Sequence, residues 1–378
     1  MTAAITAITM PKWGLTMTEG KIVKWLKPPG TAFAQGDELL EIETSKITNV
    51  MEAEADGTLL RIVAPEGSTL PIGALLAVIA PESTPPAEIE AFVAGFVVAE
   101  TSETTTEIEA PAPRDLDAAG QRLRYLEMGT AGTGSAPVLL LHGFGADLNS
   151  WMFTQPALAE AGRTIALDLP GHGGSSKDVG AGDADALSSA VEAALTALGV
   201  ERAHLVGHSL GGAIAAAVAA RRPDRVASLT LIASAGLGPE INAAFIDGFV
   251  RAARRKDAVE ILQLLVHDPA LVSRAMVEDV LRYKRLDGVT KALETIARAW
   301  FAGGRQTLDL IATITAQKMP VQVIWGRDDR IIPVSHAQAL AARMPQGPQV
   351  HILAQAGHLP HMEKSGEVNR LIRKFVAG

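Results

Sequence analysis

The chain has 378 residues, 48% of them hydrophobic and 20% charged, with a formal net charge of −8 and no cysteine. That length suggests two or three domains with full cores. The absence of thiols excludes disulfides, thiolate metal sites and a cysteine nucleophile, and it fits a reducing cytoplasm. No apolar run approaches the roughly 18–20 residues of a membrane span, no basic stripe suggests nucleic acid, and no secretory signal opens the chain. The expectation is a cytoplasmic protein with no metal and no membrane or nucleic-acid partner.

The N-terminal 80 residues contain an internal repeat. At an offset of 37, Gly20 matches Gly57, Lys24 matches Arg61, Pro28 matches Pro65, Gly30 matches Gly67, Gly36 matches Gly73 and Leu39 matches Leu76. Each copy reads as a short strand, a Pro/Gly turn, a second glycine turn and another strand, which predicts a small all-β unit with quasi-twofold symmetry. Two copies are too few for a solenoid. Between them, Glu41 to Val50 alternates polar and apolar on both sides of Thr44-Ser45-Lys46, the pattern of a hairpin with its tip at that tripeptide. The segments Met10-Pro11-Lys12-Trp13-Gly14-Leu15-Thr16-Met17-Thr18-Glu19-Gly20, Gly36-Asp37 and Glu43-Thr44-Ser45-Lys46 together resemble the lipoyl domain of 2-oxo-acid dehydrogenase complexes. The resemblance implies a barrel-sandwich fold over residues 1–80 and lipoic acid in amide linkage on Lys46. Biotin-carrier domains place a methionine on each side of their lysine; Ser45 and Ile47 stand there in this chain and favour lipoyl.

Residues 81–113 carry seven acidic and no basic side chains, open with Pro81-Glu82-Ser83-Thr84-Pro85-Pro86 and close with Pro111-Ala112-Pro113. This composition predicts a semi-extended linker, although the stretch Ile89 to Val98 is apolar and suited to docking on a domain. A conventional acyltransferase subunit has a small basic helical module here for binding partner subunits, and none is visible.

From residue 114 strands and helices alternate. Strands are predicted at Gln121–Met128, Pro137–Leu141, Thr164–Leu167, His204–Val206, Val226–Ala233, Val321–Trp325 and Gln349–Leu353, and helices at Ala184–Leu198, from Ala213, at His336–Met344 and at Val368–Val376. That alternation argues for a doubly wound, mostly parallel sheet, with sites beyond the carboxyl ends of its strands. Residues 237–312 are helical in pattern and form an expected lid.

Three turns carry the chemistry. Gly207-His208-Ser209-Leu210-Gly211 is G-x-S-x-G between a strand and a small-residue helix, where a serine stands exposed on a sharp turn. Asp328-Asp329 follows a second strand, and His358 and His361 follow the last. A serine hydroxyl needs a histidine to take its proton and a carboxylate to hold that histidine, and the order Ser, Asp, His is present. Residues 115–378 closely resemble the α/β-hydrolase superfamily. Its G-x-x-D and G-H patterns select Asp329 over Asp328 and His358 over His361, completing a triad of Ser209, Asp329 and His358. Its oxyanion turn corresponds to His142-Gly143-Phe144, so the backbone N–H groups of Phe144 and Leu210 are the expected oxyanion donors. The resemblance makes His142, His172 and His208 structural; His204, His267 and His351 are assigned no chemistry. In the lid, Arg251, Arg254, Arg255 and Lys256 cluster, as do Arg282, Lys284 and Arg285; the first four are candidate contacts for coenzyme A phosphates.

A lipoyl domain fused to an α/β-hydrolase resembles the acetyltransferase (E2-type) components of acetoin-cleaving systems. That architecture implies transfer of an acetyl group from lipoyl-Lys46 to coenzyme A. It also implies thiamine-diphosphate-dependent E1-type partners, a dihydrolipoamide dehydrogenase and a lipoate-attaching enzyme, and it is compatible with a homo-oligomer. The H-x-x-x-D-G motif of ordinary E2 catalytic domains is absent. Two alternatives stay open at this point: a tethered thioesterase or esterase that releases the acyl group to water, and a carrier or scaffold with an idle hydrolase domain.

Overall fold

The computed structural model describes residues 5–13, 17–44, 48–53, 55–96, 111–130, 132, 135–344 and 347–378. The chain divides into two compact units, Met1–Ala110 with Ser273–Met276 and Pro111–Val272 with Val277–Gly378.

In the first unit the strands are β1 (Thr6–Thr9), β2 (Glu19–Trp25), β3 (Thr31–Phe33), β4 (Glu38–Glu43), β5 (Thr48–Glu52), β6 (Gly57–Ile62), β7 (Thr69–Pro71) and β8 (Leu75–Ile79). They form two four-stranded antiparallel sheets, ordered β1-β8-β6-β3 and β5-β4-β2-β7. The 37-residue offset carries β2, β3 and β4 onto β6, β7 and β8, so one sheet's order maps onto the other's. The matched glycines have matched backbones: Gly30 and Gly67 at φ +83° and +84°, Gly36 and Gly73 at +87° and +79°, where a side chain would strain the turn. Ile22, Leu40 and Ile42 from one sheet and Leu59 and Leu76 from the other are fully buried in the shared core. Across the β4–β5 pair Glu43 faces Thr48. Lys46, with Ser45 and Ile47, lies outside the described residues, as do Gly14, Leu15 and Thr16 of the N-terminal motif.

The apolar stretch inside the expected linker folds. Helix α1 (Pro86–Gly95) starts on Pro86, whose missing N–H no helix start requires. It buries Ile89 and packs beside β8. Residues 97–110 of the expected linker lie outside the described residues.

The second unit is built on one eight-stranded sheet ordered β16-β15-β14-β13-β11-β12-β10-β9. Strands β9 (Arg114–Ala118) and β10 (Gln121–Met128) form an antiparallel edge. Next come β11 (Val138–Leu141), β12 (Thr164–Leu167), β13 (Ala203–His208), β14 (Val226–Ile232), β15 (Val321–Gly326) and β16 (Gln349–Leu353), which run parallel to one another. Strands β11 and β12 are buried throughout, and β13 along all but His204, as strands covered by helices on both faces must be. Helices α2 (Gln155–Ala159), α3 (Ala184–Ala197), α4 (Leu210–Arg221), α10 (Ser335–Arg343), α11 (Pro360–Glu363) and α12 (Ser365–Val376) lie between or after the strands. The chain runs from β11 to β12 on one side, then crosses to β13 on the other. The order reverses there, and sites form at such a reversal. Between β14 and β15 lie α5 (Ala243–Arg251), α6 (Arg255–Leu262), α7 (Arg274–Lys284), α8 (Val289–Trp300) and α9 (Ile311–Thr315), the expected helical insertion.

Candidate active site

Ser209 ends the turn between β13 and α4 with φ 52° and ψ −117°, a conformation that an L-residue keeps only when its surroundings impose it. Here they do. Its N–H donates to Ile232 O at 2.9 Å and its carbonyl accepts from Ala235 N at 3.0 Å, which fastens the turn to the end of β14. The flanking glycines have no room for a side chain: a Cβ on Gly207 would lie 2.4 Å from Gly211 O, and one on Gly211 would lie 2.2 Å from Leu141 O. The small-residue helix α4 can therefore start directly against the sheet, and the serine is left 7% exposed.

His358 follows β16, and its Nδ1 lies 2.8 Å from Asp329 Oδ2. The two side chains are 2% and 0% exposed. The other carboxylate oxygen accepts from Ile331 N at 2.8 Å and Ile332 N at 3.0 Å, so both oxygens are engaged and the carboxylate is fixed. Asp329 holds Nδ1, which leaves Nε2 as the ring nitrogen not engaged by the carboxylate. His208 Nε2 donates to the backbone oxygen of His358 at 2.8 Å and so ties His358 to the residue beside Ser209. Asp328 turns away, to His267 Nδ1 at 2.9 Å, with both partners about two-fifths exposed. His361 is buried against Trp151 and His208, with ring centroids 4.8 and 4.5 Å away. Burial pushes the His361 imidazole down to about 3 and holds that of His208 well below the usual range, so both are neutral packing groups. Of the imidazoles packed around the serine, His358 alone carries a carboxylate among the described residues.

The turn after β11 lies against the nucleophile. A Cβ on Gly143 would sit 3.2 Å from Ser209 Cβ, so the residue before Phe144 packs on the serine. Leu210 is the first residue of α4, and its N–H has no carbonyl one turn earlier in the helix to bond. His142 holds this turn in place. Its Nδ1 donates to Gly143 O at 2.8 Å, and its Nε2 accepts from Leu169 N at 3.0 Å. Burial lowers its imidazole to about 4, so it keeps the neutral form those two bonds require. His172 stands 5.0 Å away, edge to face.

Three supports were not singled out from the sequence. Glu363, on α11, accepts from Gly357 N at 2.9 Å, Leu359 N at 3.2 Å and His267 N at 2.6 Å. It clamps the residues on both sides of His358, and burial raises its carboxyl pKa. An acid directly after the largely apolar run Leu359-Pro360-His361-Met362 was the available signal. Asp168 accepts from Leu148 N and Gly174 N, both at 2.7 Å. The third support comes from the lid. His358 N donates to Leu265 O at 2.7 Å, and Arg330 donates to Gln263 O and Val266 O, so the segment after α6 is pinned to both acid and base loops. Phe249 of α5 stacks edge to face on Phe144 at 5.9 Å, and Phe301 does so at 6.0 Å.

The four candidate phosphate contacts divide between two helices. Arg251 ends α5, while Arg254, Arg255 and Lys256 open α6 and pair with Asp257, Glu278 and Glu260. Among the described residues no group of three His, Asp or Glu side chains could hold a metal, and no helix is long and apolar enough to cross a membrane.

Residues 136–365 match the alpha/beta hydrolase fold family and residues 6–79 the biotin-requiring enzyme family of biotin/lipoyl domains. The chain is 46% identical over 375 residues to the dihydrolipoyllysine-residue acetyltransferase component of the acetoin cleaving system of Pseudomonas putida, with 98% of each chain covered. It is 41% identical over 374 residues to the protein of the same name from Cupriavidus necator, covering 99% of this chain and 98% of that one. Among solved structures, a meta-cleavage product hydrolase from Pseudomonas fluorescens superposes with a TM-score of 0.63 at 25% identity, covering 69% of this chain and 96% of the hydrolase.

Proposed function

The chain belongs to the family of acetyltransferase components of acetoin cleaving systems, and we propose from that premise that it moves an acetyl group from lipoyl-Lys46 to coenzyme A. One observation carries this reading. A lipoyl-type unit and the Ser209, His358 and Asp329 arrangement occur together in one chain, matched over 98% of its length.

The first unit suits a lipoyl group. Glu43 and Thr48 face each other at the end of the β4–β5 pair, and the sequence between them offers a lysine amine with no flanking methionine. When bound in amide linkage to Lys46, the group supplies a dithiol that carries the acyl cargo as a thioester. Thiamine-diphosphate-dependent E1-type subunits would load it, dihydrolipoamide dehydrogenase would reoxidise it, and a lipoate-attaching enzyme would install it.

In the second unit, Ser209 Oγ attacks the carbonyl carbon of the thioester substrate while His358 Nε2 takes its proton. Asp329 keeps the imidazole in the tautomer that leaves Nε2 free and stabilises the cation formed. Negative charge on the carbonyl oxygen is met by the N–H groups of Phe144 and Leu210, an arrangement that typically contributes about 10²–10³ in rate per donor. The C–S bond then breaks, and His358 returns its proton to the departing thiolate. Coenzyme A enters, its thiol gives a proton to His358, its sulfur attacks the acyl-serine, and Ser209 leaves reprotonated. Free acetyl-dihydrolipoamide, offered with and without coenzyme A, tests this. Acetyl-CoA as the product supports the proposal. Release of acetate alone, at equal rates in both reactions, would replace it with a tethered hydrolase, and no turnover would leave a carrier.

A further inference from the structure

The cations of the lid are not equivalent. Arg254, Arg255, Lys256 and Arg282 each have a carboxylate within 4 Å. Arg251 and Arg285 are exposed and have no such partner among the described residues, yet both line the same cleft of about 360 Å³. Its walls come from the end of α5, the end of α7 and the first half of α8, and include Lys284, Thr290 and Glu294. Glu294 is held by Arg298 at 3.6 Å.

Val250, Arg251 and Ala252, at the C-terminal end of α5, line this cleft, and unsatisfied carbonyls at a helix end disfavour an anion. Lys284 removes that obstacle: its ammonium donates to Phe249 O, Val250 O and Ala252 O. The same ammonium stands 5.6 Å from the centre of the Phe249 ring, and that ring also meets Phe144 edge to face, with centroids 5.9 Å apart. One aromatic residue therefore links the cleft to the catalytic serine's surroundings. Two unpaired guanidinium forks with a neutralised helix end behind them suit a polyanion such as a pyrophosphate, which arginine binds bidentately.

We propose that Arg251 and Arg285 bind the pyrophosphate of coenzyme A in this cleft. This rests on coenzyme A being the acyl acceptor. The choice of arginines follows from pairing: Arg254, Arg255 and Lys256 are spent on neighbouring carboxylates, and Arg251 joins Arg285 from another helix.

The test compares coenzyme A with pantetheine, a thiol without the pyrophosphate, as acceptors for the wild type and for Arg251→Ala, Arg285→Ala and the double variant. Each single variant is expected to raise the KM for coenzyme A about tenfold, the size of one lost charge-assisted contact. The KM for pantetheine should shift less than twofold. Inorganic pyrophosphate should compete with coenzyme A in the wild type and not in the double variant. An unchanged KM for coenzyme A, or an equal rise for pantetheine, overturns the assignment. Should the wild type make acetate and no acetyl-CoA, the acceptor reading fails by itself. Calorimetric titration with pyrophosphate then judges the cleft: binding that the double variant loses upholds an anion site there, and no binding to the wild type removes it.

Discussion

In the first unit the offset that repeats the sequence also repeats the backbone, and its buried cluster is apolar. Lys46, the proposed functional residue, falls in sequence between β4 and β5. In the second unit the proposed functional residues are inside. Asp329 and His358 are almost fully buried, Ser209 is held at a positive φ, and the neighbouring imidazoles are kept neutral by burial. A carrier needs one residue presented on a rigid frame, so its fold can be symmetric and chemically plain. A catalyst needs charges and a strained backbone placed to a fraction of an ångström, and its fold bends around that requirement.

The sharpest way to break this contrast is to remove the functional residue from each unit in turn. Lys46→Arg keeps the charge and removes the amine that lipoyl attachment uses. It is expected to abolish acetyl-CoA formation by the assembled system and to leave transfer from free acetyl-dihydrolipoamide at the wild-type rate. Ser209→Ala is expected to lose both. Assays of the two substrates with each variant decide it. If Lys46→Arg also slowed transfer from the free substrate, the first unit would be part of the catalyst and the contrast would fall. If Ser209→Ala kept full transfer while His358→Ala lost it, an acyl-serine would be excluded.

Within the second unit the adjacent acids Asp328 and Asp329 separate burial from distance. Each is within 3 Å of an imidazole, but one pair is half exposed and the other is sealed. Exposed pairs are worth about 0–1 kcal/mol, whereas losing a buried triad carboxylate costs about 10⁴ in kcat. Asp329→Asn should therefore drop turnover by about that factor, and Asp328→Asn by less than twofold, in a steady-state assay with an acetyl thioester. Equal losses would mean that His267 takes part in the chemistry.

Much of this was legible in the residues. Parallel strands announce themselves as continuous apolar runs such as Val138 to Leu141, the G-x-S-x-G turn dictates its own geometry through steric exclusion at Gly207 and Gly211, and the repeated glycines specify the first unit's turns. What stayed hidden depends on which groups meet once the chain has folded. Helix α1 is masked by the proline-rich flank that opens it. Glu363 looks like any acid until Gly357 and Leu359 are seen to donate to it, and Lys284 looks like a surface cation until three carbonyls at the end of α5 close on it. The difference between Arg251 and Arg254 has no counterpart in composition. It exists only once Asp257 folds back on one of them.

The symmetry of the first unit can itself be strained to see how deep it runs. Gly20 and Gly57 are repeat partners, and a methyl group on either would come within 2.6 Å of a neighbour: Met10 Sδ for Gly20 and Ile79 Cγ2 for Gly57. Overpacking of this kind costs about 1–3 kcal/mol. The two neighbours differ in how they can yield. Around Gly20 two of the three nearest atoms belong to flexible methionines, Met10 Sδ and Met17 Cε at 3.0 Å, beside Ile42 Cγ2 at 2.9 Å. Around Gly57 they belong to branched Ile79 and the Phe33 ring at 3.0 and 3.3 Å, which have no flexible end. Gly20→Ala is therefore expected near the lower end of the range and Gly57→Ala near the upper, each lowering the first unit's melting temperature by about 4–8 °C per kcal/mol. Calorimetry of the full chain, with ester hydrolysis at Ser209 as a control that neither change should move, reads both. Equal losses would mean that the pseudo-twofold extends to how the sheets relax, and a neutral Gly57→Ala would mean that the β8 side of the sandwich is the more plastic half.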